Sequence, residues 1–381
     1  MTIRLKGITW NHTRGYIPMV AASQRFMETH PGVDISWDKR SLQEFADFPI
    51  QSLTDRYDLL VIDHPWAGYA AEKKVLVPLN EQVAESFLED QSAHSVGGSH
   101  SSYCFNGFQS ALAIDAAAPV AAWRPDLLAQ RGEPIPQSWA DLLAMARSGG
   151  VLFPAIPIDS LMNWYMMCIA LGEEPFHSRE QIVSPDTGTL ALEHLRELAS
   201  LCGLEIFGMN PIAVYEALSS RDDFVYCPFA YGYSNYARPG YARHVLEFGD
   251  LVEYERGRPL RSTLGGTGIA VSAGSGNVRV AVEYAMFVAG PVIQRTLYVE
   301  CGGQPGHSSA WRDRKVNERC GGYFAKTLPA LERAYVRPRY NGYLYFQDHA
   351  GDNVREYMQS GGNAPAVLDR MNELYRKSFN M

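Results

Sequence analysis

The sequence predicts an α/β fold organised on a parallel sheet, and three observations carry that reading. The first ~110 residues alternate short strands with helices, which is the rhythm of βαβ units. The run Tyr57-Asp58-Leu59-Leu60-Val61-Ile62 is apolar without alternation, as in a strand covered on both faces. Hydrophobic residues make up 46% of the 381 and charged residues 20%. That fills a large core, and the length corresponds to about two or three domains.

Ile3, Leu5 and Ile8 alternate with polar neighbours, predicting a first strand that ends at Trp10. A polar loop, Asn11-His12-Thr13-Arg14-Gly15, follows. Pro18 is expected to open the next helix, where its missing N–H costs nothing. Met19, Ala22 and Phe26 give that helix an apolar stripe, and His30-Pro31-Gly32 stops it. Val33, Ile35 and Trp37 alternate as a second strand, and the strand through Leu59–Ile62 runs into Asp63-His64-Pro65-Trp66. In open α/β sheets ligands sit beyond the carboxyl ends of the strands. The segments 10–15 and 63–66 are therefore the first site candidates.

From about residue 114 to 264 the clearest helices are Leu161–Leu171, Thr187–Leu201 and Pro211–Ser219. Val151–Ile156 and Phe224–Tyr226 read as short strands. Thr263–Ser272 is a glycine-rich entry into a strand, followed by a helix Val278–Ala289 that Gly290-Pro291 ends. The tail carries an Arg- and Tyr-rich stretch, Arg333–Tyr345, then helices near 351–360 and 364–378. There is no internal repeat.

Composition narrows the function classes. Lys plus Arg is 34 and Asp plus Glu is 42, so the net charge is 34 − 42 = −8. An acidic chain is a poor candidate for nucleic acid, which selects a basic face. No window approaches about 18 uninterrupted apolar residues, so membrane insertion is not expected. The stretch Met1–Trp10 lacks the basic and apolar regions of a secretory leader. This predicts a cytoplasmic protein if Met1 is the natural start and a periplasmic one if a leader was removed. Cysteines lie at 104, 168, 202, 227, 301 and 320 with no CxxC pair, which argues for reduced packing thiols and against a zinc or redox motif. His12, His64, His307 and His349 come from separate segments without helical i, i+4 spacing, so no metal site is expected.

Several pieces stand in a recognisable order: Phe26 with His30-Pro31-Gly32-Val33, Tyr57-Asp58-Leu59-Leu60, Val77-Pro78-Leu79 and Ala113-Ile114-Asp115. Then come Ala121-Ala122-Trp123-Arg124-Pro125-Asp126-Leu127-Leu128 and Pro136-Gln137-Ser138-Trp139-Ala140-Asp141-Leu142. Leu264-Gly265-Gly266-Thr267-Gly268-Ile269-Ala270-Val271, Gly302-Gly303-Gln304-Pro305 and Ser309-Ala310-Trp311 complete the series. In this order the chain resembles the extracellular solute-binding proteins of ABC importers, in the branch with sugar- and maltose-binding-like members. The resemblance implies a two-lobed periplasmic-binding-protein fold of type II, each lobe a mostly parallel sheet flanked by helices. Lobe 1 would hold 1–112 and 269–309, lobe 2 would hold 113–264 and 310–381, with crossings near 110–115, 264–268 and 305–312. It further implies a cofactor-free monomer that closes on a small polar solute, carbohydrate-like or carboxylated, and delivers it to an ABC importer membrane component. Soluble enzymes and ligand sensors have arisen on the same fold, so a cytoplasmic enzyme or a cytosolic sensor is the rival reading.

Within that frame each candidate residue has two readings. Trp10, His12 and Arg14 offer a stacking ring, a hydrogen-bond partner and an anion clamp; alternatively the segment is capped and Arg14 pairs with a neighbouring acid. Arg14 tilts the expected ligand toward negative charge. His64 and Trp66 are ligand contacts or core cover, and Asp63 is expected to point away from His64 because neighbours on an extended segment face opposite ways. Asp115 binds ligand hydroxyls or caps a turn. Asp159 or Ser160 is expected to cap the helix that carries Trp164, whose ring either faces a ligand or packs. Tyr231 and Tyr233, in the aromatic stretch Phe229–Tyr236, supply ring faces for a sugar or an aromatic ligand. Gly266 permits a hinge or brings backbone N–H groups to a ligand, and Gln304 contacts ligand or fixes a turn. Asp63, His64, Asp115 and Cys104 would carry proton transfer or addition in the enzyme reading, and Cys227 is a second candidate thiol.

Overall fold

The computed structural model describes residues 2–47 and 50–381. The chain divides into two compact units, Met1–Ala117 with Leu264–Glu332 and Arg339–Asn341, and Ala118–Thr263 with Arg333–Pro338 and Gly342–Met381.

In the first unit five strands stand in the order Val33–Arg40, Ile3–Trp10, Leu59–Ile62, Gly265–Val271, Leu112–Ala117. The first three pair in parallel, as the βαβ rhythm predicts. Gly265–Val271 is antiparallel to both of its neighbours, so the sheet is mixed. Leu59, Leu60, Val61 and Ile62 are all buried, consistent with cover on both faces. Helix Thr13–Thr29 lays Met19, Ala22 and Phe26 on this sheet, and helix Val278–Ala289 adds Ala281, Tyr284 and Val288 to the same core. Ser23 ties the two helices and a strand together. Its hydroxyl lies 2.8 Å from the Tyr284 hydroxyl and accepts the Trp37 indole N–H at 2.7 Å.

The helix after the first strand begins earlier than Pro18. It spans Thr13–Thr29 with Pro18 inside. The reason is a cap: His12 is extended (φ −149°) and its Nδ1 accepts the Arg14 backbone N–H at 3.0 Å. The segment read as a polar loop is thus mostly the first helical turn.

The second unit holds a three-stranded sheet in the order Tyr226–Tyr231, Pro119–Trp123, Glu247–Gly249, with both pairings antiparallel. Parallel pairing survives in this unit as isolated bridges, Val151 with Tyr226, Ser138 with Glu253 and Thr263 with Tyr335. The strand expected over 151–156 is replaced by the Val151 bridge and an irregular segment. Around the sheet pack helices Pro157–Ala170, Pro185–Ser200, Pro211–Ser220, Tyr343–Ser360 and Ala364–Ser378. Pro157 and Pro185 sit at helix starts, which places both helix starts ahead of the expected ones. Asp159 and Ser160 therefore lie inside their helix, and Ile156, with no side-chain cap, is the residue before it.

The division falls after Ala117 and after Thr263. Residues 310–332, placed in lobe 2 by the sequence reading, stay with the first unit. Trp311 anchors them there, donating its indole N–H to the Pro305 carbonyl and packing edge-on against Phe324 at 5.0 Å between centroids. All six cysteines are free thiols. No described helix is long and apolar enough to cross a membrane.

Candidate functional site

The carboxyl ends of strands Ile3–Trp10 and Leu59–Ile62 lie at one edge of the first unit's sheet. The register Gly268 to Ile62 and Thr267 to Asp115 brings Thr267 and Asp115 to that edge as well. Several sequence-predicted residues meet here, though not in the roles the sequence implied.

Arg14, Asp115 and Gln304 form one internal node. Arg14 is 4% exposed and Asp115 1%. Arg14 Nε donates to Asp115 Oδ2 at 2.8 Å, and its Nη2 donates to Asp115 Oδ1, a two-pronged ion pair. The Gln304 backbone N–H also donates to the Asp115 carboxylate. The Gln304 side chain, fully buried, donates to the Ala116 carbonyl at 2.8 Å. Burial pushes the Asp115 carboxyl above its ordinary range, and Arg14 pulls against that shift. The expected anion clamp is therefore answered inside the fold: the guanidinium fork is engaged by Asp115. Gly266 belongs to the same node for a steric reason. Its φ is +103°, and a Cβ there would stand 2.3 Å from the Asp115 carbonyl oxygen.

Asp63 and His64 pair, contrary to the extended-chain expectation. The strand ends at Ile62 and a 3-10 turn covers His64–Trp66, with Asp63 as its cap. Asp63 Oδ1 accepts the His64 backbone N–H at 2.8 Å and lies 3.1 Å from His64 Nδ1. His64 is buried with its ring edge-on to Tyr103, whereas the Asp63 side chain keeps 18% exposure. Trp66 is buried and meets Tyr69 edge-on. Trp10 is a core residue, packed on Phe45 and covering Gly15, where a Cβ would strike its ring at 2.3 Å. His12 remains partly exposed, and burial followed by the Arg14 charge lowers its imidazole to about 4. It is neutral at physiological pH.

Sequence reasoning missed one group at this edge. Thr267 is buried and its hydroxyl has no protein partner, which marks it as a hydrogen-bonding group for water or a ligand. Its only signal was a hydroxyl inside an otherwise featureless glycine run.

In the second unit, Tyr231 is partly exposed and its hydroxyl lies 2.7 Å from Thr263 Oγ1. Tyr233 is buried, with its ring 6.2 Å from that of Tyr215. Trp164 is 0% exposed, and its indole N–H donates to the Gly188 carbonyl at 3.0 Å. It packs in the unit's core instead of facing a ligand. The buried polar atoms of this unit without a hydrogen-bond partner include Asp159 Oδ2, the Tyr226 hydroxyl and Asn235 Oδ1. Burial alone pushes the Asp159 carboxyl up to about 8. Burial likewise pushes the Cys227 thiol far up and Cys202 up to about 12, so neither is a thiolate nucleophile at neutral pH. Among the described residues, one group of three or more His, Cys, Asp or Glu donors gathers closely. It contains His307 together with Asp90 and His94, and none of His12, His64 or His349.

Comparison with known proteins places this geometry. Residues 9–165 match the family model of bacterial extracellular solute-binding proteins. Comparison with curated protein sequences gives no significant match. Among solved structures, the maltose-bound MalE3 of T. maritima is 14% identical, covers 100% of both chains and superposes with a TM-score of 0.84. A solute-binding protein of an ABC transporter from Agrobacterium radiobacter K84, in complex with ribitol, is 17% identical over 98% of each chain, with a TM-score of 0.82. An ABC substrate-binding protein of Listeria monocytogenes in complex with cycloalternan is 12% identical over 100% of each chain, with a TM-score of 0.83. At these identities the likeness is one of fold, and the fold is that of two-lobed periplasmic solute-binding proteins.

Proposed function

We propose that this chain is a member of the bacterial extracellular solute-binding protein family, that it binds a neutral polyhydroxylated solute, a sugar or a polyol, and that it presents it to an ABC importer. The observation that carries the ligand class is the Arg14–Asp115 pair. With its guanidinium held by Asp115 through two hydrogen bonds, the carboxyl edge of the first sheet offers no uncompensated cation from its first helix. The groups proposed to meet ligand there are the partly exposed Asp63 carboxylate, the neutral His12 imidazole and the Thr267 hydroxyl. Carboxylate, imidazole and hydroxyl together both accept and donate, which suits ligand O–H groups. A carboxylated ligand would meet the like charge of the Asp63 carboxylate there. This moves the ligand away from the charged metabolite that Arg14 alone implied.

In the second unit Tyr231, with its ring partly exposed, is the proposed stacking surface for an apolar sugar face, and Tyr233 is proposed to support it. The ligands bound in those structural relatives, maltose, ribitol and cycloalternan, agree in being neutral and rich in hydroxyls. Delivery to an importer places the protein outside the cytoplasmic membrane, where the family works.

A thermal-shift screen of the full chain against sugars, polyols and carboxylated metabolites tests the reading, with mass analysis of each hit after incubation. A ligand present at 100 times its Kd adds about 2.7 kcal/mol of stability. The expected result is a shift with neutral sugars or polyols, each recovered unchanged. Hits confined to carboxylates would overturn the ligand class. Conversion of a hit would replace the binding reading with an enzymatic one.

A further inference from the structure

We infer that the first unit carries a site for a borderline divalent transition-metal ion, of the zinc class, formed by Asp90, His94 and His307. The inference is independent of the solute-binding reading and uses none of its residues.

Asp90 and His94 stand four apart at the end of helix Glu85–Ala93, with His94 as the residue that caps it. That spacing puts both side chains on one face of the helix end. His307 comes from 213 residues further along the chain and is the cap of the short helix Ser308–Trp311. One donor atom from each of the three lies within 4.8 Å of the others. His94 Nδ1 is 2.9 Å from Asp90 Oδ1, His307 Nε2 is 3.4 Å from Asp90 Oδ2, and the two imidazoles are stacked at 5.1 Å.

The backbone segments that carry these donors are held together without help from an ion. The Ser308 N–H donates to the His94 carbonyl at 2.7 Å, and the Val96 N–H donates to the Gly306 carbonyl at 3.2 Å. Ser95 and His307 form an antiparallel bridge between those two bonds. The Gly306 N–H is fixed in turn by the Ile114 carbonyl and by Gln294 Oε1. With the backbone of both segments fixed, mainly side-chain rotations are left to order when an ion binds.

The chemistry of the set is selective. Two imidazoles and one carboxylate match zinc-class ions, and three protein donors leave a fourth position for water. Hard cations such as Ca²⁺ and Mg²⁺ prefer all-oxygen ligands. Around a tetrahedral ion with bonds of about 2.0–2.1 Å the donors approach to roughly 3.3 Å, a contraction that the half-exposed His94 side chain accommodates by rotating. His307 is 3% exposed, and its Nδ1 lies 2.8 Å from Ser309 Oγ. As the cap of Ser308–Trp311, that Nδ1 accepts the Ser309 backbone N–H, and Nε2 faces Asp90; metal binding at Nε2 would move the ring proton to Nδ1, where Ser309 Oγ can accept it. Bound metal would clip the helix end at His94 to the segment that carries His307, reinforcing the backbone hydrogen bonds that already join these two parts of the chain.

The test uses the full chain, stripped with a chelator and titrated with Zn²⁺ by calorimetry and with Co²⁺ by visible absorption. Two variants accompany it, His94→Ala and Asp90→Asn, both at partly exposed side chains, with melting curves confirming that they fold. The expected result is saturable binding of one zinc per chain, a rise in melting temperature with zinc, and affinity weakened about tenfold or more in both variants. Absence of saturable binding up to about 1 mM zinc, which corresponds to less than roughly 4 kcal/mol of affinity, overturns the site. So does an affinity that stays within tenfold of the parent in either variant.

Discussion

Arg14 and Asp115, 101 residues apart in sequence, meet as a buried, two-pronged ion pair at the carboxyl edge of the first sheet. Asp115 is held from a second side by the Gln304 backbone N–H. Three residues that the sequence offers as separate ligand contacts are thereby one structural node, and the charge a ligand would meet at that edge changes with it.

Removing one partner of this pair leaves an uncompensated charge in the core. Arg14→Met or Asp115→Asn is expected to cost about 3–5 kcal/mol. The double variant Arg14→Met/Asp115→Asn should lose much less than the sum, because no charge is stranded. Chemical denaturation of the three proteins checks this; additive losses would show that the pair is not coupled.

Asp159 makes stability fall as pH rises. Burial places its carboxyl near 8 against an ordinary 3.8. Below about 4 both folded and unfolded chains hold the proton, and the contribution to stability is complete. Between about 4 and 8 the unfolded chain releases a proton that the folded chain keeps, which costs about 1.36 kcal/mol per pH unit. Asp159→Asn removes this dependence, so its stability relative to the parent should climb steadily from pH 4 to pH 8. Parallel stability curves would mean that the carboxyl ionises normally in the fold.

Gly266 is fixed by its conformation and by its neighbour. Gly266→Ala should cost about 1–3 kcal/mol, since it combines a positive φ with a contact on the Asp115 carbonyl. Gly276→Ala, where a Cβ would meet nothing within 4 Å, should stay within about 0.5 kcal/mol of the parent. Equal effects at the two positions in thermal melts would contradict the steric account.

Stability and binding should separate between Trp164 and Asp63. Trp164→Phe opens a void in the core and loses the bond to the Gly188 carbonyl, lowering stability while leaving solute affinity unchanged. Asp63→Asn keeps a capping side chain but loses the charged acceptor, and should weaken solute binding roughly ten- to a hundredfold. Calorimetry on both variants with the same hit decides; loss of affinity in Trp164→Phe alone would reverse the assignment.

The alternation of Ile3, Leu5 and Ile8 and the unbroken run at 59–62 made the first sheet legible, because burial on one or two faces is written as a period. Helix Val278–Ala289 was legible for the same reason, with Gly290-Pro291 marking its end. The site was less so. That Arg14 reaches Asp115 depends on a pairing across 101 residues, which no local pattern encodes. That Asp63 turns back to His64 depends on the strand stopping at Ile62, one residue before the pair. Trp164 looked available because it was expected in the first turn of its helix; a start at Pro157 sets it further along, among buried neighbours. The spacing Asp90-x-x-x-His94 was visible, yet His307, the third donor, joins it only through the bridge at Ser95.

The most direct measurement is the affinity of the chain for a neutral sugar hit and for the matching uronic acid, which differ only by a carboxylate, by calorimetry at pH 7. With Arg14 engaged by Asp115 and Asp63 at the edge, the neutral sugar should bind at least about tenfold tighter, a difference of roughly 1.4 kcal/mol. Equal or tighter binding of the uronate would show that the site supplies a cation to the ligand, and would contradict the account.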